Sequence, residues 1–342
     1  MEEIKIFVIG DPHFKTNNVE ECNQMCQKIL CYLDQIQPDA VVCLGDILDR
    51  HETIHVGPLL RSISFFESIA QKYRLYILIG NHDRPNNQVF MTEEHPFTAL
   101  KLWKNTTIVD STYSEYIQGK NFVFVPYVPP GRFMEALQGI DLNTVHTIFA
   151  HQEFYGAKMG ATESVIGDKW DSEYPLVISG HIHDYQVIQK NIIYTGTPIQ
   201  HAYGDREDKG VWLFRFSGNT VSSEIYDLEI PKKKIVKVDA CEISTLKNLD
   251  PKHHYKIVIS GTPEQIKTLK LGAYLNRLSK YKIAYKTISS ITDMTNTKEF
   301  ENQDFLELLY DEIKNCSEDQ LDMLQCFQEI FGSIAKHFII VD

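Results

Sequence analysis

No apolar run in this chain reaches the roughly 18 residues that a membrane-spanning helix needs, so none is expected. No C-x-x-C pair occurs, and the seven cysteines (Cys22, Cys26, Cys31, Cys43, Cys241, Cys316 and Cys326) are odd in number. Zinc ribbons are thereby excluded, a disulfide framework is disfavoured, and a reducing, cytoplasmic setting is expected. An apolar strand pattern begins within a few residues of Met1, so no secretory leader is expected. There is neither an internal repeat nor a low-complexity tract.

What is present is a chain of 342 residues, 43% hydrophobic and 11% aromatic, enough for a substantial core. At about 150 residues per domain, two domains and a small appendage are expected. The net charge of −12 is unevenly spread. Residues 1–230 carry 18 basic and 30 acidic side chains, 231–290 carry 13 and 4, and 291–342 carry 3 and 12. An acidic chain with one basic module can still grip a polyanion.

Residues 1–216 alternate apolar runs with helical patterns, an α/β signature. Helices are expected over 19–36, on Met25, Ile29, Tyr32, Leu33 and Ile36, and over 57–72, on Leu59, Leu60, Ile63, Phe66 and Ile69. The runs 191–200 and 210–216 read as strands that close a sheet edge. Pro231 and the lysines after it mark a break. Beyond it 255–260, a helix over 263–279 and 281–288 form a small β-α-β unit. The expected domains are thus 1–230 and 231–290, a polar linker 291–300, and a helical segment 301–342. In that segment Phe305, Leu308, Leu309, Leu324, Phe327, Phe331 and Ile334 form apolar stripes that must be covered, by a partner chain or by another domain of this chain, with the partner favoured by the polar linker and the acidic charge.

Five apolar runs end in metal-ligand residue types: IFVIGDPHF (6–14), VVCLGDILDR (41–50), LYILIGNHDR (75–84), TIFAHQEF (147–154) and LVISGHIHD (176–184). A lone D-x-H or H-x-H is usually a solvated loop; five such loops in order point to one site on adjacent strand ends. Asp11, His13, Asp46, Asn81, His151, His181 and His183 supply oxygen and nitrogen donors of the kind that suit Mn, Fe, Mg or Zn. Two such ions screen a phosphate ester and activate water. Asp46, directly after Gly45, is the candidate to bridge them. His82 points away from its neighbour Asn81 and so toward substrate, where it can protonate the leaving oxygen; Asp83 is expected to orient its ring. His51, His55, His95, His146, His201, His253, His254 and His337 are read as surface or core histidines, His51 least firmly.

The motifs D-x-H, G-D-x-x-D, G-N-H-D, a lone His and G-H-x-H resemble those of the calcineurin-like metallophosphoesterases over 1–216. GHIHD, the later YTGTPIQHAYGDREDKGVWLF and the small β-α-β unit resemble the SbcD-type recombination nucleases, including the recombination endonuclease subunit of T-even-like bacteriophages. This resemblance implies an α/β sandwich of two sheets flanked by helices, with a DNA-holding cap. It implies two Mn ions, with Mg as a substitute: one on Asp11, His13, Asp46 and His183, the other on Asp46, Asn81, His151 and His181. His82 would be the general acid of an exonuclease and endonuclease acting in recombination and repair. The implied partners are double-stranded and single-stranded DNA, an SbcC-type ABC ATPase with a coiled coil, and a second copy of the chain; no membrane is involved. For a phage-encoded protein the setting is the infected bacterium. The chain departs from that pattern at GDILDR, which is closer to the G-D-x-x-D-R of protein phosphatases, so Asp49 and Arg50 are candidates for contact with phosphate. Lys232, Lys233, Lys234 and Lys237 are candidates for contact with DNA. The competing enzyme is a stand-alone phosphatase or cyclic-nucleotide phosphodiesterase of the same superfamily.

Overall fold

The computed structural model describes residues 3–160, 162–246, 249–271, 278 and 280–288. In chain order these form β1 (Ile4–Ile9), α1 (Val19–Ile36), β2 (Ala40–Cys43), α2 (Val56–Ala70), β3 (Leu75–Leu78), β4 (Thr106–Val109), β5 (Tyr113–Ile117), β6 (Lys120–Val125), α3 (Phe133–Ala136) and β7 (Val145–Ala150). There follow β8 (Lys158–Met159), β9 (Thr162–Glu163), β10 (Leu176–Ser179), β11 (Gln186–Val187), β12 (Ile192–Tyr194), β13 (Val211–Ser217), β14 (Thr220–Tyr226), β15 (Lys233–Asp239), β16 (His254–Gly261), α4 (Pro263–Leu271) and β17 (Lys282–Thr287). Among the described residues, no helix is long and apolar enough to cross a membrane.

Two six-stranded sheets form an α/β sandwich, ordered β14-β13-β1-β2-β3-β4 and β11-β12-β10-β7-β6-β5. The pleat of β1 explains the layering. Ile4, Ile6 and Val8 face the second sheet, where they meet a cluster that includes Phe122, Phe124, Phe149 and Ile178. Phe7 and Ile9 face the opposite way, into a cluster that includes Met25, Ile29 and Leu33 of α1 and Phe66 and Ile69 of α2. Both faces of the strand are buried, so the run is apolar throughout instead of alternating. Each fully buried side chain of this kind contributes about 1.5–3 kcal/mol. Helix α1 ends where Gln37 turns left-handed (φ 49°) and donates its N–H to the Leu33 carbonyl, ahead of Pro38.

The sheet edges differ from the expectation. β13 lies inside its sheet, paired with both β1 and β14, and the edge is β14. Strand β15 was also unforeseen: the lysine run that marks the composition break is itself a strand, parallel to β16. Its apolar residues Ile235, Val236 and Val238 are masked in the sequence by three preceding lysines. The sheet β15-β16-β17 has an apolar cluster of its own, with Ala240, Ile243, Ile257 and Ile259 buried. By compactness the chain divides into Met1–Gly261 with Gln265–Lys286, and Thr262–Glu264 with Thr287–Asp342. The expected linker 291–300 and helical segment 301–342, with its apolar stripes, lie outside the described residues.

Candidate metal centre

Strands β1, β2 and β3 run parallel in one sheet, and β7 and β10 run parallel in the other. The loops after these five strands carry the candidate ligands. To converge, the chain must turn sharply directly after the strands: His13, Asp46 and His181 all adopt positive φ (41°, 46° and 78°). Such backbone is costly for residues other than glycine and clusters at functional sites. Gly45, also at positive φ, leaves no room for a side chain, since a Cβ there would lie 2.7 Å from His151 Nδ1. At Gly180 a Cβ would lie 2.3 Å from Asp11 Oδ1.

The side chains fall into two groups. Asp11, His13 and His183 bring ligand atoms within 4.8 Å of one another, as do Asp46, His151 and His181. Asp46 faces both groups. Its Oδ1 lies 3.3 Å from His151 Nε2 and its Oδ2 lies 3.7 Å from His13 Nε2. Asn81 Oδ1 joins the second group, at 2.9 Å from His151 Nε2 and 2.8 Å from His181 Nδ1. Hydrogen bonds fix the histidine tautomers. His13 Nδ1 donates to the Leu48 carbonyl (3.2 Å) and His151 Nδ1 donates to the Leu44 carbonyl (2.8 Å). Each Nε2 is thereby presented to the centre, the usual orientation of a metal-binding imidazole.

These donors fit a pair of divalent cations. Asp11 Oδ1 is buried without a hydrogen-bond partner. His13 Nε2 and His183 Nε2 face each other at 3.1 Å. The electrostatics also favour positive charge between the groups. Burial opposes ionisation of Asp46, but His151, His13 and His82 outweigh it and hold the carboxyl well below its ordinary range. Burial pushes Asp11 well above that range, with Asp46 adding to the shift. For His151, burial works against protonation, yet Asp46 and Asp11 push it up to about 9. A proton is drawn there to balance buried carboxylates, a place that a metal would take over.

Residues 4–185 match the family model of the calcineurin-like phosphoesterases. "Putative phosphoesterase 244L" of Invertebrate iridescent virus 6 is 47% identical over 285 residues, 79% of this chain and 98% of that protein. The chain belongs to the calcineurin-like phosphoesterases. "Putative phosphoesterase 078R" of Invertebrate iridescent virus 3 is 38% identical over 333 residues, 94% of this chain and 95% of that protein. The solved structure of GAP50, the anchor in the inner membrane complex of Plasmodium, is 14% identical, covers 66% of this chain and 85% of that one, and has a TM-score of 0.37.

His82 stands at the rim of this centre, half-buried. Its Nδ1 donates to the Asp49 carbonyl at 2.9 Å, and its Nε2 lies 4.0 Å from Asp46 Oδ2. Its backbone N–H donates to Asp46 Oδ1 at 2.8 Å. Asp83 does not orient the His82 ring as expected. Its carboxylate accepts the N–H groups of Ile47, Leu48 and Gly80 and so ties the loop after β2 to the loop after β3. Burial, and then Asp46, push Asp83 up to about 6. The carboxylate of Asp49 pairs with Lys15 at 2.6 Å, while Arg50 is exposed. Lys232, Lys233 and Lys234 pair with Asp227, Glu21 and Glu207 at 3.0, 3.0 and 3.2 Å; Lys237 is exposed.

Three residues at the centre escaped the sequence reading. His51 stacks on His82, with ring centroids 4.6 Å apart and planes at 19°. His201 packs 5.0 Å from the His13 ring and 5.9 Å from the His183 ring. Both its nitrogens are buried without a hydrogen-bond partner, and burial holds it well below its ordinary range. Glu153 Oε2 lies 3.9 Å from His181 Nε2, on the far side of that ring from Asn81, and its Oε1 accepts from Ser164. A carboxylate behind a ligand histidine is a recurrent device for orienting it. The only sequence signal was position, two residues after His151 for Glu153 and one after a motif-like GTPIQ for His201.

Proposed function

We propose that this chain is a Mn-dependent DNA nuclease, with exonuclease and endonuclease activity, that works in recombination and repair with an SbcC-type ABC ATPase. The observation that carries the two-metal chemistry is Asp46, whose two oxygens face the two ligand groups, with His82 Nε2 beside them. One ion would be held by Asp11, His13, Asp46 and His183, the other by Asp46, Asn81, His151 and His181. When bound, the ions supply charge screening and a water nucleophile at neutral pH. The protein holds Asp46 ionised, fixes the imidazole tautomers, and presents His82 Nε2–H to the leaving oxygen. As the phosphorus–oxygen bond breaks, that proton passes to the oxygen, while Nδ1–H stays on the Asp49 carbonyl.

Support for DNA comes from the basic segment 231–290, the GHIHD and YTGTPIQ motifs, and the small sheet that follows the sandwich. The apolar stripes of 301–342, from Phe305 to Ile334, would meet the ATPase. Truncation after Thr297 is expected to abolish ATPase binding and to spare Mn binding. One observation favours the stand-alone phosphatase reading instead: Lys232, Lys233 and Lys234 already pair with carboxylates. The deciding experiment incubates the purified chain and Mn with double-stranded DNA, with and without the ATPase partner, and in parallel with small phosphomonoesters. Degradation of DNA supports the nuclease; turnover of monoesters alone overturns it.

A further inference from the structure

A cavity of about 350 Å³ opens between the loop after β2 and the loop after β3. His82 forms part of its wall, and so do Leu48, Ile54, Pro85, Pro96 and Arg50. Nothing in the two-metal chemistry uses this space. Its position assigns it a side of the reaction. His82 Nε2 is turned toward Asp46 at 4.0 Å, and the group that His82 protonates is the leaving oxygen. Whatever is attached to that oxygen therefore departs along the His82 wall, where the cavity lies.

Size and lining narrow the occupant. The volume sits at the lower end of the 300–1,000 Å³ typical of small-molecule sites, room for one nucleoside and too little for a base pair. Leu48, Ile54, Pro85 and Pro96 give the cavity apolar surfaces suited to the faces of a planar ring. Arg50, Glu52 and Glu94 are exposed charged groups that also line it, matching the polar edges of a nucleobase with a donor and two acceptors. Arg84 lines the cavity as well. Arg84 is only 3% exposed, and its guanidinium is held by the carbonyls of Tyr127 and Val89. It has no carboxylate partner among the described residues, so it leaves a fixed positive charge beside the path of a phosphate. A phosphorylated serine or threonine would leave most of this volume empty.

We infer that the cavity is a base pocket that binds one unstacked nucleoside on the leaving-group side of the scissile phosphate. The inference rests on the nuclease reading above. It makes cleavage depend on a base that has left its stack, so single strands and frayed ends are better substrates than the interior of a duplex.

The test uses the full-length chain with Mn and a single-stranded oligonucleotide carrying one tetrahydrofuran abasic residue, compared with the intact strand. Stacking of a base on an aromatic side chain is worth about 1–3 kcal/mol, roughly a 5- to 150-fold effect, and mainly aliphatic walls call for the lower part of that range. Cleavage at the phosphate whose leaving side is abasic is expected to slow by about tenfold or more, with the neighbouring sites little changed. Ile54 is 50% exposed and accommodates a larger side chain; Ile54→Trp is expected to fill the pocket and bring the intact-to-abasic rate ratio close to one. Equal rates on the two strands with the unaltered chain overturn the inference and leave the nuclease reading standing. So does a ratio that Ile54→Trp leaves unchanged. No cleavage of either strand, with small phosphodiesters still hydrolysed, overturns the nuclease reading and the pocket with it.

Discussion

Around Asp46, donor atoms converge faster than protein hydrogens can satisfy them; along β15, each of the first lysines already has its carboxylate. Asp11 Oδ1 stands buried and unpartnered, and three residues other than glycine hold positive φ to bring the ligands together. Lys233, by contrast, sits against Glu21 at 3.0 Å and also donates to the Gln200 carbonyl. The first region is built to receive charge from outside the protein. The second balances most of its charge within it. Local strain and unmet polar groups thus separate a binding centre from a basic composition, although the two looked equally suggestive as strings of residues.

The sharpest way to test this contrast is at His82. Removing a proton donor while leaving every ligand in place, His82→Ala, is expected to lower cleavage about 10²–10⁴-fold with Mn binding intact by calorimetry. Loss of metal from this variant would move His82 into the ligand set. Glu153→Gln is expected to have a smaller effect, weakening the affinity of the second ion about 10- to 100-fold through a less firmly oriented His181. Calorimetry showing both ions unaffected would make Glu153 a mere anchor for Ser164.

The pH dependence follows from His151. Its folded value of about 9 lies above its ordinary 6.5. Its proton therefore stabilises the metal-free protein fully below about pH 6.5, and that gain fades as pH rises through about 9. Metal competes for the same place, so Mn affinity and the Mn-induced rise in melting temperature should both grow from pH 6.5 to 9. A metal-induced shift that is flat over this window would show that His151 holds no proton to displace. The smallest effect is expected on β15. With Lys232, Lys233, Lys234 and Lys237 reversed to Glu, the log–log salt slope of DNA binding falls by roughly 0.9 for each phosphate that is no longer neutralised. Because three of the four lysines are paired internally, a fall equivalent to one phosphate is expected. A fall equivalent to all four would return the whole strand to the DNA surface.

The motif residues were legible because each candidate ligand follows a short buried strand, and strand ends in parallel sheets gather loops at one edge. The place of Asp46 between the two groups could be anticipated from its position directly after a strand and Gly45 in GDILD. What stayed hidden was set by contacts between loops distant in sequence. Asp83 looked like a partner for the adjacent imidazole, yet three backbone N–H groups, two of them from the loop after β2, claim its carboxylate first. His51 and His201 had no local partner in the sequence; each finds one across the fold, on His82 and on His13. Strand β15 was missed because lysines at its start suggested a solvated break, while its pairing partner β16 lies some 20 residues later.

Whether Asp46 joins the two ligand groups into one two-ion centre is tested most directly by Mn titration in a calorimeter, with anomalous scattering to count sites. The expected result is two ions per chain in the unaltered protein and loss of both, or of their pairing, in Asp46→Ala. A single ion in the unaltered chain, or two adjacent ions retained without Asp46, would contradict it.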